Sequence, residues 1–186
     1  RQPRFAELPG IPDQQADACA QCGKRENLAH HSDQQARARR PAVTGAASIE
    51  GHCLCGAVTI TLDNPVQQVE ICQCGMCRRW GGAFYSAQSG DNPEVTGTNE
   101  ITEFRSSEWA ERAFCSKCGS NLWFRFLPTG NRSFSAGLFD AAATHGIEKE
   151  IFVDERADWC RIEGDHPRRT GGEVIAEARA AGFSFD

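Results

Sequence analysis

The fold is decided by the stretch His52-Cys53-Leu54-Cys55-Gly56-Ala57-Val58-Thr59-Ile60-Thr61-Leu62, which joins a close cysteine pair to a β-branched run. Residues 57–62 alternate between apolar and polar types, and this period of two indicates a strand. Side chains at i and i+2 of a strand face the same side, so Cys53 and Cys55 are expected to present their sulfurs together. The stretch therefore predicts a β-rich protein in which a strand lies beside a pair of metal ligands.

Two further cysteine groups follow, Cys72-Gln73-Cys74-Gly75-Met76-Cys77 and Cys115-Ser116-Lys117-Cys118-Gly119, in a chain with ten cysteines. Thiols this close in sequence do not bridge each other comfortably, whereas a metal needs several sulfurs at one point. A disulfide scaffold is the alternative. Because the sequence shows no export signal, we expect a reducing cytoplasm and zinc rather than oxidised pairs.

The first and third groups suit a closed zinc site. In Cys115-x2-Cys118 a tight turn aims both thiols inward, and Gly119 can adopt the backbone angle that other residues resist. Together with Cys53 and Cys55 these thiols make a tetrahedral four-thiolate site, which is the arrangement of a structural zinc. Spacing alone leaves open how the seven sulfurs are divided.

The group Cys72, Cys74 and Cys77 offers three sulfurs from one predicted loop. A zinc with three protein ligands keeps an open position for water or substrate, as catalytic zincs do. Three thiolates leave a net negative site, which suits a thiol better than it suits the generation of hydroxide. The alternative is a closed site completed by Cys160, His52 or a carboxylate.

Composition limits the possible functions. The chain has 186 residues, of which 40% are hydrophobic, so we expect a globular body. A net charge of −5 disfavours a general nucleic-acid binder. No apolar run approaches the roughly 18 residues of a membrane helix, so we expect no membrane association.

The organisation along the chain predicts a mainly β, sandwich-like, zinc-bound single domain with short strands and little helix. Residues 1–47 are read as an irregular N-terminal extension, 48–164 as the zinc-binding domain and 165–186 as a C-terminal tail. In that tail, 173–180 is the only convincing helix. Further strands are predicted at residues 83–87, 100–105, 122–126, 134–138 and 151–153.

Other polar residues are candidates for binding. Arg78 and Arg79 follow the third sulfur and are predicted to grip a carboxylate of a thiol substrate, although a solvated surface pair is the alternative. Cys160 is expected to be a small buried residue, and His52 to be non-ligating. His145 and His166 lie in polar stretches and are expected to be exposed.

The N-terminal extension holds one more candidate metal site. Cys19 and Cys22 form a C-x2-C pair, and His30 and His31 follow. Adjacent histidines do not fit the usual H-x3–5-H spacing, so free thiols on a flexible tail are the favoured interpretation over a third zinc.

Three ordered motifs carry a family resemblance: Glu50-Gly51-His52-Cys53-Leu54-Cys55-Gly56-Ala57-Val58, Cys72-Gln73-Cys74-Gly75-Met76-Cys77-Arg78-Arg79-Trp80-Gly81-Gly82 and Phe114-Cys115-Ser116-Lys117-Cys118-Gly119-Ser120-Asn121-Leu122. From about residue 48 to 162 the sequence resembles the glutathione-dependent formaldehyde-activating (GFA) family, which includes centromere protein V. Departures from the family are Gln73 and Gly75, where relatives often have His and Ser, and Cys160, where an aromatic is more usual.

The resemblance implies a β-rich fold with two zinc ions per chain. It assigns Cys53, Cys55, Cys115 and Cys118 to the structural zinc, and Cys72, Cys74 and Cys77 to the catalytic one. It also implies a carbon–sulfur lyase that adds glutathione to formaldehyde, as an S-hydroxymethylglutathione synthase does. The sequence leaves two alternatives, a non-catalytic binding module that uses its β-surface for a protein partner and a redox sensor. The oligomeric state stays open.

Overall fold

The structure is a computed structural model that describes residues 48–185. The possible third zinc site at Cys19, Cys22, His30 and His31 lies outside the described residues. The boundaries placed at 47/48 and 164/165 stay predictions.

The described chain is mainly β, as predicted, with eleven strands and two α-helices. The strands are β1 Ser48–His52, β2 Thr59–Asp63, β3 Gln68–Cys72, β4 Tyr85–Gln88, β5 Asp91–Thr96, β6 Ile101–Ser107, β7 Ala110–Cys115, β8 Asn121–Phe126, β9 Arg132–Ser135, β10 Gly146–Ile151 and β11 Arg168–Arg169. The helices are α1 Gly75–Gly81 and α2 Gly171–Ala180. No helix among the described residues is long and apolar enough to cross a membrane.

Two sheets form the body. The small sheet has the order β1-β2-β5, and the large sheet has the order β11-β10-β3-β4-β9-β8-β7-β6. All pairs are antiparallel except those of β10 with β3 and with β11. The main core combines Ile60 and Leu62 of β2 with Trp123 and Phe134 of the large sheet, so the sheets pack face to face.

The pleat of the large sheet separates its two faces. Ala113 pairs with Trp123, and Trp123 with Phe134, all on the face that packs into the main core. The neighbouring residues Arg112 and Phe124 are also cross-strand partners, and because successive side chains alternate they project from the opposite face. That face holds a second, smaller core in which Cys77, Tyr85 and Ala87 are buried.

Most predicted strands are confirmed, and three local predictions are wrong. Cys53-x-Cys55 is not on a strand, because β1 ends at His52 and a turn carries the pair. The predicted strand 134–138 ends at Ser135 and continues as the 3-10 helix Ala136–Leu138. The predicted strand 151–153 is the end of β10, after which Phe152 adopts a left-handed conformation at φ 58°.

The second helix is confirmed and the first was missed. Helix α2 begins with a capping box, in which the Thr170 hydroxyl accepts from the Glu173 backbone and the Glu173 carboxylate accepts from the Thr170 backbone. The chain then folds back so that the Phe183 ring lies 5.0 Å from the Phe126 ring and the Phe185 ring lies 5.2 Å from the Trp109 ring. Residues 171–185 are thereby held against the large sheet.

Candidate metal centres and adjoining cavity

The first centre is the four-cysteine cluster, made of Cys53, Cys55, Cys115 and Cys118. Its sulfurs all lie within 4.8 Å of one another. The Cys53 sulfur is 3.6 Å from that of Cys55, and the latter is 3.9 Å from that of Cys115. Because one pair follows β1 and the other begins at the end of β7, the cluster joins the small sheet to the large sheet.

Two similar turns build this cluster. Gly56 and Gly119 each follow a cysteine pair and both have φ 73°, which a glycine adopts at no steric cost. The Gly56 amide donates to the Cys53 carbonyl at 2.9 Å, and the Gly119 amide donates to the Cys115 carbonyl at 2.8 Å. The predicted role of Gly119 in the turn after Cys115 and Cys118 is thus confirmed, and Gly56 has the same role after Cys53 and Cys55.

The donor set fits zinc. Four sulfurs at Zn–S distances of about 2.3 Å in a tetrahedron would lie roughly 3.8 Å apart, close to the distances found here. The separations exclude a disulfide, whose sulfurs are about 2.05 Å apart. Hydrogen bonds from the side chain and backbone of Ser120 lower the pKa of Cys118 to about 5, which favours the thiolate that a metal requires.

The second centre is the three-cysteine cluster, Cys72, Cys74 and Cys77, whose sulfurs also lie within 4.8 Å of one another. Cys72 ends β3, Cys74 precedes α1, and Cys77 is buried in the first turn of that helix. Hydrogen bonds from Cys72 and Cys77 lower the pKa of Cys74 to about 2, whereas the hydrogen bond with Cys74 is the main cause that raises the pKa of Cys72. The donor chemistry of this compact thiol group also fits zinc.

Arg112 supplies positive charge beside the three-cysteine cluster. Its guanidinium Nη2 lies 3.9 Å from the Cys77 sulfur, and its side chain is buried. The group stacks between Trp80, at 5.5 Å, and Phe124, at 5.4 Å. Sequence reasoning missed Arg112, because it follows Cys77 by 35 residues and only the assembled large sheet, in the order β3-β4-β9-β8-β7, brings the two side chains together.

A buried polar network supports the segment that carries the three-cysteine cluster. Gln73 is fully buried, and its Nε2 donates to the equally buried Glu150 carboxylate. The same carboxylate accepts from His166 Nε2 at 2.6 Å and from Arg168 Nε at 2.9 Å. The expectation that His166 is exposed is therefore wrong, since its side chain is only 5% exposed. His145 is half-buried and pairs with Gln88 at 2.8 Å.

The three-cysteine cluster opens into a cavity of about 570 Å³. All three cysteines line it, with Arg79, Arg112 and Glu155 at the same end. Glu155 accepts from the Gly75 amide at 2.7 Å, and Arg79 donates to the Gly75 carbonyl at 2.9 Å. Most of the remaining lining is apolar and includes Trp109, Phe124, Phe126, Val174, Ile175 and Phe185, whereas Glu70, Tyr85 and Ser133 are polar.

The remaining candidates lie in different surroundings. Of the two arginines after Cys77, the cavity is lined by Arg79 and not by Arg78, whose Nε is buried without a hydrogen-bond partner among the described residues. His52 is exposed and its ring Nδ1 contacts the Cys53 carbonyl at 2.9 Å. Cys160 is buried at 9% exposure.

Comparison with known proteins shows which family the sequence matches. Residues 48–155 match the family described as glutathione-dependent formaldehyde-activating enzyme. An uncharacterised lyase of Schizosaccharomyces pombe is 29% identical over 111 residues, which is 59% of this chain and 81% of the relative. A Halomonas elongata protein, provisionally named a glutathione-dependent formaldehyde-activating enzyme, is 30% identical over 128 residues, covering 62% of this chain and 81% of the relative.

A crystal structure of a Rhodobacter sphaeroides protein is also similar, with a TM-score of 0.42 and 24% identity over 50% of this chain and 88% of that one. The fold and the cysteine clusters define a mainly β protein with two sites that can hold metal ions. The sequence matches identify the family: the chain belongs to the GFA family.

Proposed function

We propose that this protein is a carbon–sulfur lyase-like enzyme of the GFA kind that binds two zinc ions per chain. A thiol such as glutathione would bind at the three-cysteine cluster and react with formaldehyde or a related small aldehyde, or the corresponding thioadduct would be cleaved. This is the activity of an S-hydroxymethylglutathione synthase. The names of the family and of the Halomonas relative support the thiol and aldehyde as substrates.

One observation carries the proposal. The three cysteines line a cavity large enough for a small-molecule ligand, whereas none of the four cysteines of the other cluster is among its lining residues. A closed site that only supports the fold has no need of such a cavity. The difference favours a structural role for the four-cysteine cluster and a reactive role for the three-cysteine cluster.

The reaction forms a C–S bond between the thiol sulfur and the carbonyl carbon, and the thiol proton ends on the carbonyl oxygen. Zinc, when bound, would supply the positive charge that favours the thiolate form of the substrate. The chain would contribute proximity, since a cavity of about 570 Å³ has room to hold both reactants together. Arg112 offsets the negative charge of the cysteine thiolates.

Arg78 and Arg79 remain the proposed partners of a substrate carboxylate. Arg79 has the better support, because it lines the cavity and is exposed, and its Nη1 donates only to the Gly75 carbonyl among the contacts found. A guanidinium with donors to spare can bind a glutathione carboxylate in two hydrogen bonds.

Cobalt substitution tests the proposal. We expect millimolar glutathione to change the visible spectrum of the cobalt-loaded protein, because a new sulfur ligand alters the coordination. Cys74→Ser should remain folded, bind about one metal ion fewer and lose both the spectral change and the glutathione-dependent turnover. Cys160→Ser is the matched control, since it removes a buried thiol outside both clusters.

The alternative outcomes are distinct. If glutathione leaves the cobalt spectrum and the melting temperature unchanged, the proposal fails and a non-catalytic binding module with two structural zincs is favoured. Full activity of Cys74→Ser with one metal lost would remove the catalytic assignment while leaving the metal assignment in place.

A further inference from the structure

The cavity continues well beyond the cysteines, and its far wall comes from the C-terminal segment. Val174 and Ile175 of α2 and Phe185 beyond it line the cavity. This segment lies outside residues 48–155, which match the family, so the wall is a feature of this chain beyond the family match. It therefore bears on what this particular protein binds.

The C-terminal wall is held by several contacts. Gly171 is buried, and its amide donates to Asp154 Oδ1 at 2.7 Å. A Cβ at Gly171 would lie 2.7 Å from the Phe152 ring, so the helix start packs directly on the loop that follows β10. At the other end, Phe185 packs edge-on against Trp109 with ring centroids 5.2 Å apart. Fixed at both ends, the segment forms a defined surface.

The chemistry of this wall does not match a substrate pair of glutathione and formaldehyde. Formaldehyde carries no apolar substituent, and glutathione carries two carboxylates and an ammonium group, which require polar partners. Arg79 and Glu155 lie at the cysteine end, and the carboxylate of Glu70 is paired with Lys149 at 2.9 Å, whereas Trp109, Phe126 and the C-terminal wall are apolar. A cavity of about 570 Å³ also has room for a drug-sized ligand.

We propose that the carbonyl substrate is an aldehyde with a bulky apolar substituent, aromatic or branched aliphatic, that lies against Val174, Ile175 and Phe185. The inference rests on the thiol addition of the proposed function and replaces its small aldehyde with a larger, apolar one. The thiol sulfur attacks the aldehyde carbon, a C–S bond replaces the carbonyl π-bond, and the thiol proton moves to the oxygen. The step needs no oxidant or reductant, and its product is a thiohemiacetal with an apolar arm.

Stable thioethers of glutathione test this inference without relying on the intrinsically easy thiol addition. Isothermal titration of the zinc-loaded full chain would compare S-benzylglutathione with S-methylglutathione. We expect the benzyl compound to bind about tenfold more tightly or better, because its ring removes apolar surface from water. Phe185→Ala should reduce this preference at least fivefold while leaving the affinity for S-methylglutathione within twofold of the wild type.

Phe183→Ala is the matched control, because this phenylalanine belongs to the same segment and packs on Phe126 but does not line the cavity. It should lower the melting temperature and keep the benzyl preference. Equal affinities for the two thioethers in the wild-type protein, or equal effects of the two variants, would overturn the inference and leave the proposed function standing. If neither thioether binds and glutathione does not bind either, the proposed function itself fails.

Discussion

Arg112 is the residue whose position says most about the three-cysteine cluster. Its buried guanidinium lies 3.9 Å from the Cys77 sulfur and between the rings of Trp80 and Phe124. Thiolates in a partly buried site repel one another, and a fixed cation nearby offsets that repulsion. Replacing Arg112 should therefore lower the stability of the protein, because both a charge and packed aromatic contacts are lost.

We expect Arg112→Gln to weaken zinc binding at the three-cysteine cluster by roughly 10- to 100-fold, as loss of groups that contact metal ligands commonly does. Competition with a chromophoric chelator measures this affinity. Arg112→Lys should lose less, since it retains the charge without the planar fork.

Arg132→Gln provides the control for lost stacking, since the Arg132 guanidinium lies 4.9 Å from the Trp123 ring. It should reduce stability without changing the competition curve. Wild-type zinc affinity in Arg112→Gln would show that this arginine does not act on the cluster.

Individual residues also show what the sequence could reveal. The seven cysteines were predicted as metal ligands from their spacing, which is a local property, and the structure brings them into two clusters that could hold metal ions. Arg112 and Glu150 gave no such signal, since an isolated charged residue is usually solvated. Their roles depend on pairing between strands. The pairing of β7 with β8 places Arg112 opposite Phe124, and the pairing of β10 with β3 places Glu150 within hydrogen-bond distance of Gln73.

At the scale of elements, the start of α2 positions a helix whose residues Val174 and Ile175 line the cavity. We expect Thr170→Ala to destabilise the protein by about 1 kcal/mol, because it removes one half of the capping box. The melting temperature should fall by about 3 °C. Thr170→Ser retains the hydroxyl acceptor and should melt close to the wild type; a fall equal to that of the alanine variant would contradict the capping explanation.

This cap also has a pH dependence. Hydrogen bonds from the Thr170 backbone and side chain lower the pKa of Glu173. A carboxylate with a lowered pKa in the folded state stabilises it above the pKa of the unfolded chain, and that contribution disappears as the pH falls through the lowered value. The difference between Thr170→Ala and wild type should therefore shrink in acid, as thermal melts at several pH values would show.

Gly97, between β5 and β6, is a second position at which a single residue limits how two elements connect. Its φ is 70°, and a Cβ there would lie only 1.9 Å from the Ala57 carbonyl oxygen, so the backbone must move. We expect Gly97→Ala to cost about 2 kcal/mol or more, measured by denaturant unfolding. Gly137→Ala, where a Cβ meets nothing within 4 Å, should be nearly neutral; equal losses would argue against the steric cause.

Elements were predictable where the sequence period is clear. The strands predicted at 57–62, 100–105 and 122–126 lie within two residues of β2, β6 and β8. Helix α1 was missed because its seven residues, Gly-Met-Cys-Arg-Arg-Trp-Gly, are bounded by glycines and too few to show a helical period. The error at Phe152 has another origin, since residues other than glycine seldom adopt the left-handed conformation found there, at φ 58°.

At the scale of the whole molecule, the two clusters should respond differently to metal removal. The four-cysteine cluster connects the two sheets, whereas the three-cysteine cluster lies on the outer face of the large sheet and opens into the cavity. We expect a chelator to remove one zinc with little change in circular dichroism and to unfold the protein as the second leaves.

Variants separate the two clusters in the same measurement. Cys118→Ser should yield an unstable or unfolded chain, whereas Cys74→Ser should melt as a folded protein. A single chelation step that unfolds the protein, or equal stability of the two variants, would contradict the division into a structural and a reactive centre.

The mainly β class and the two-cluster plan followed from the sequence, but the cavity did not. Its walls come from residues as far apart as Glu70 and Phe185, and its C-terminal wall belongs to the predicted tail, which had no assigned role. Sequence periodicity describes neighbours along the chain, while a cavity depends on how sheets, loops and a terminal helix meet. Its shape therefore required the tertiary structure.

The positions of the two clusters along the chain also set the order in which each becomes complete during synthesis. All four ligands of the cluster that joins the sheets have left the ribosome soon after Cys118, whereas Glu150, Arg168 and Phe185 are still to come. Under the proposed function, a nascent chain would bind its first zinc before the segment with the three-cysteine cluster has gained its buried polar network and its C-terminal wall. Nascent chains arrested once about residue 130 has emerged should protect Cys118 from alkylation, whereas protection of Cys74 should await the emergence of Phe185.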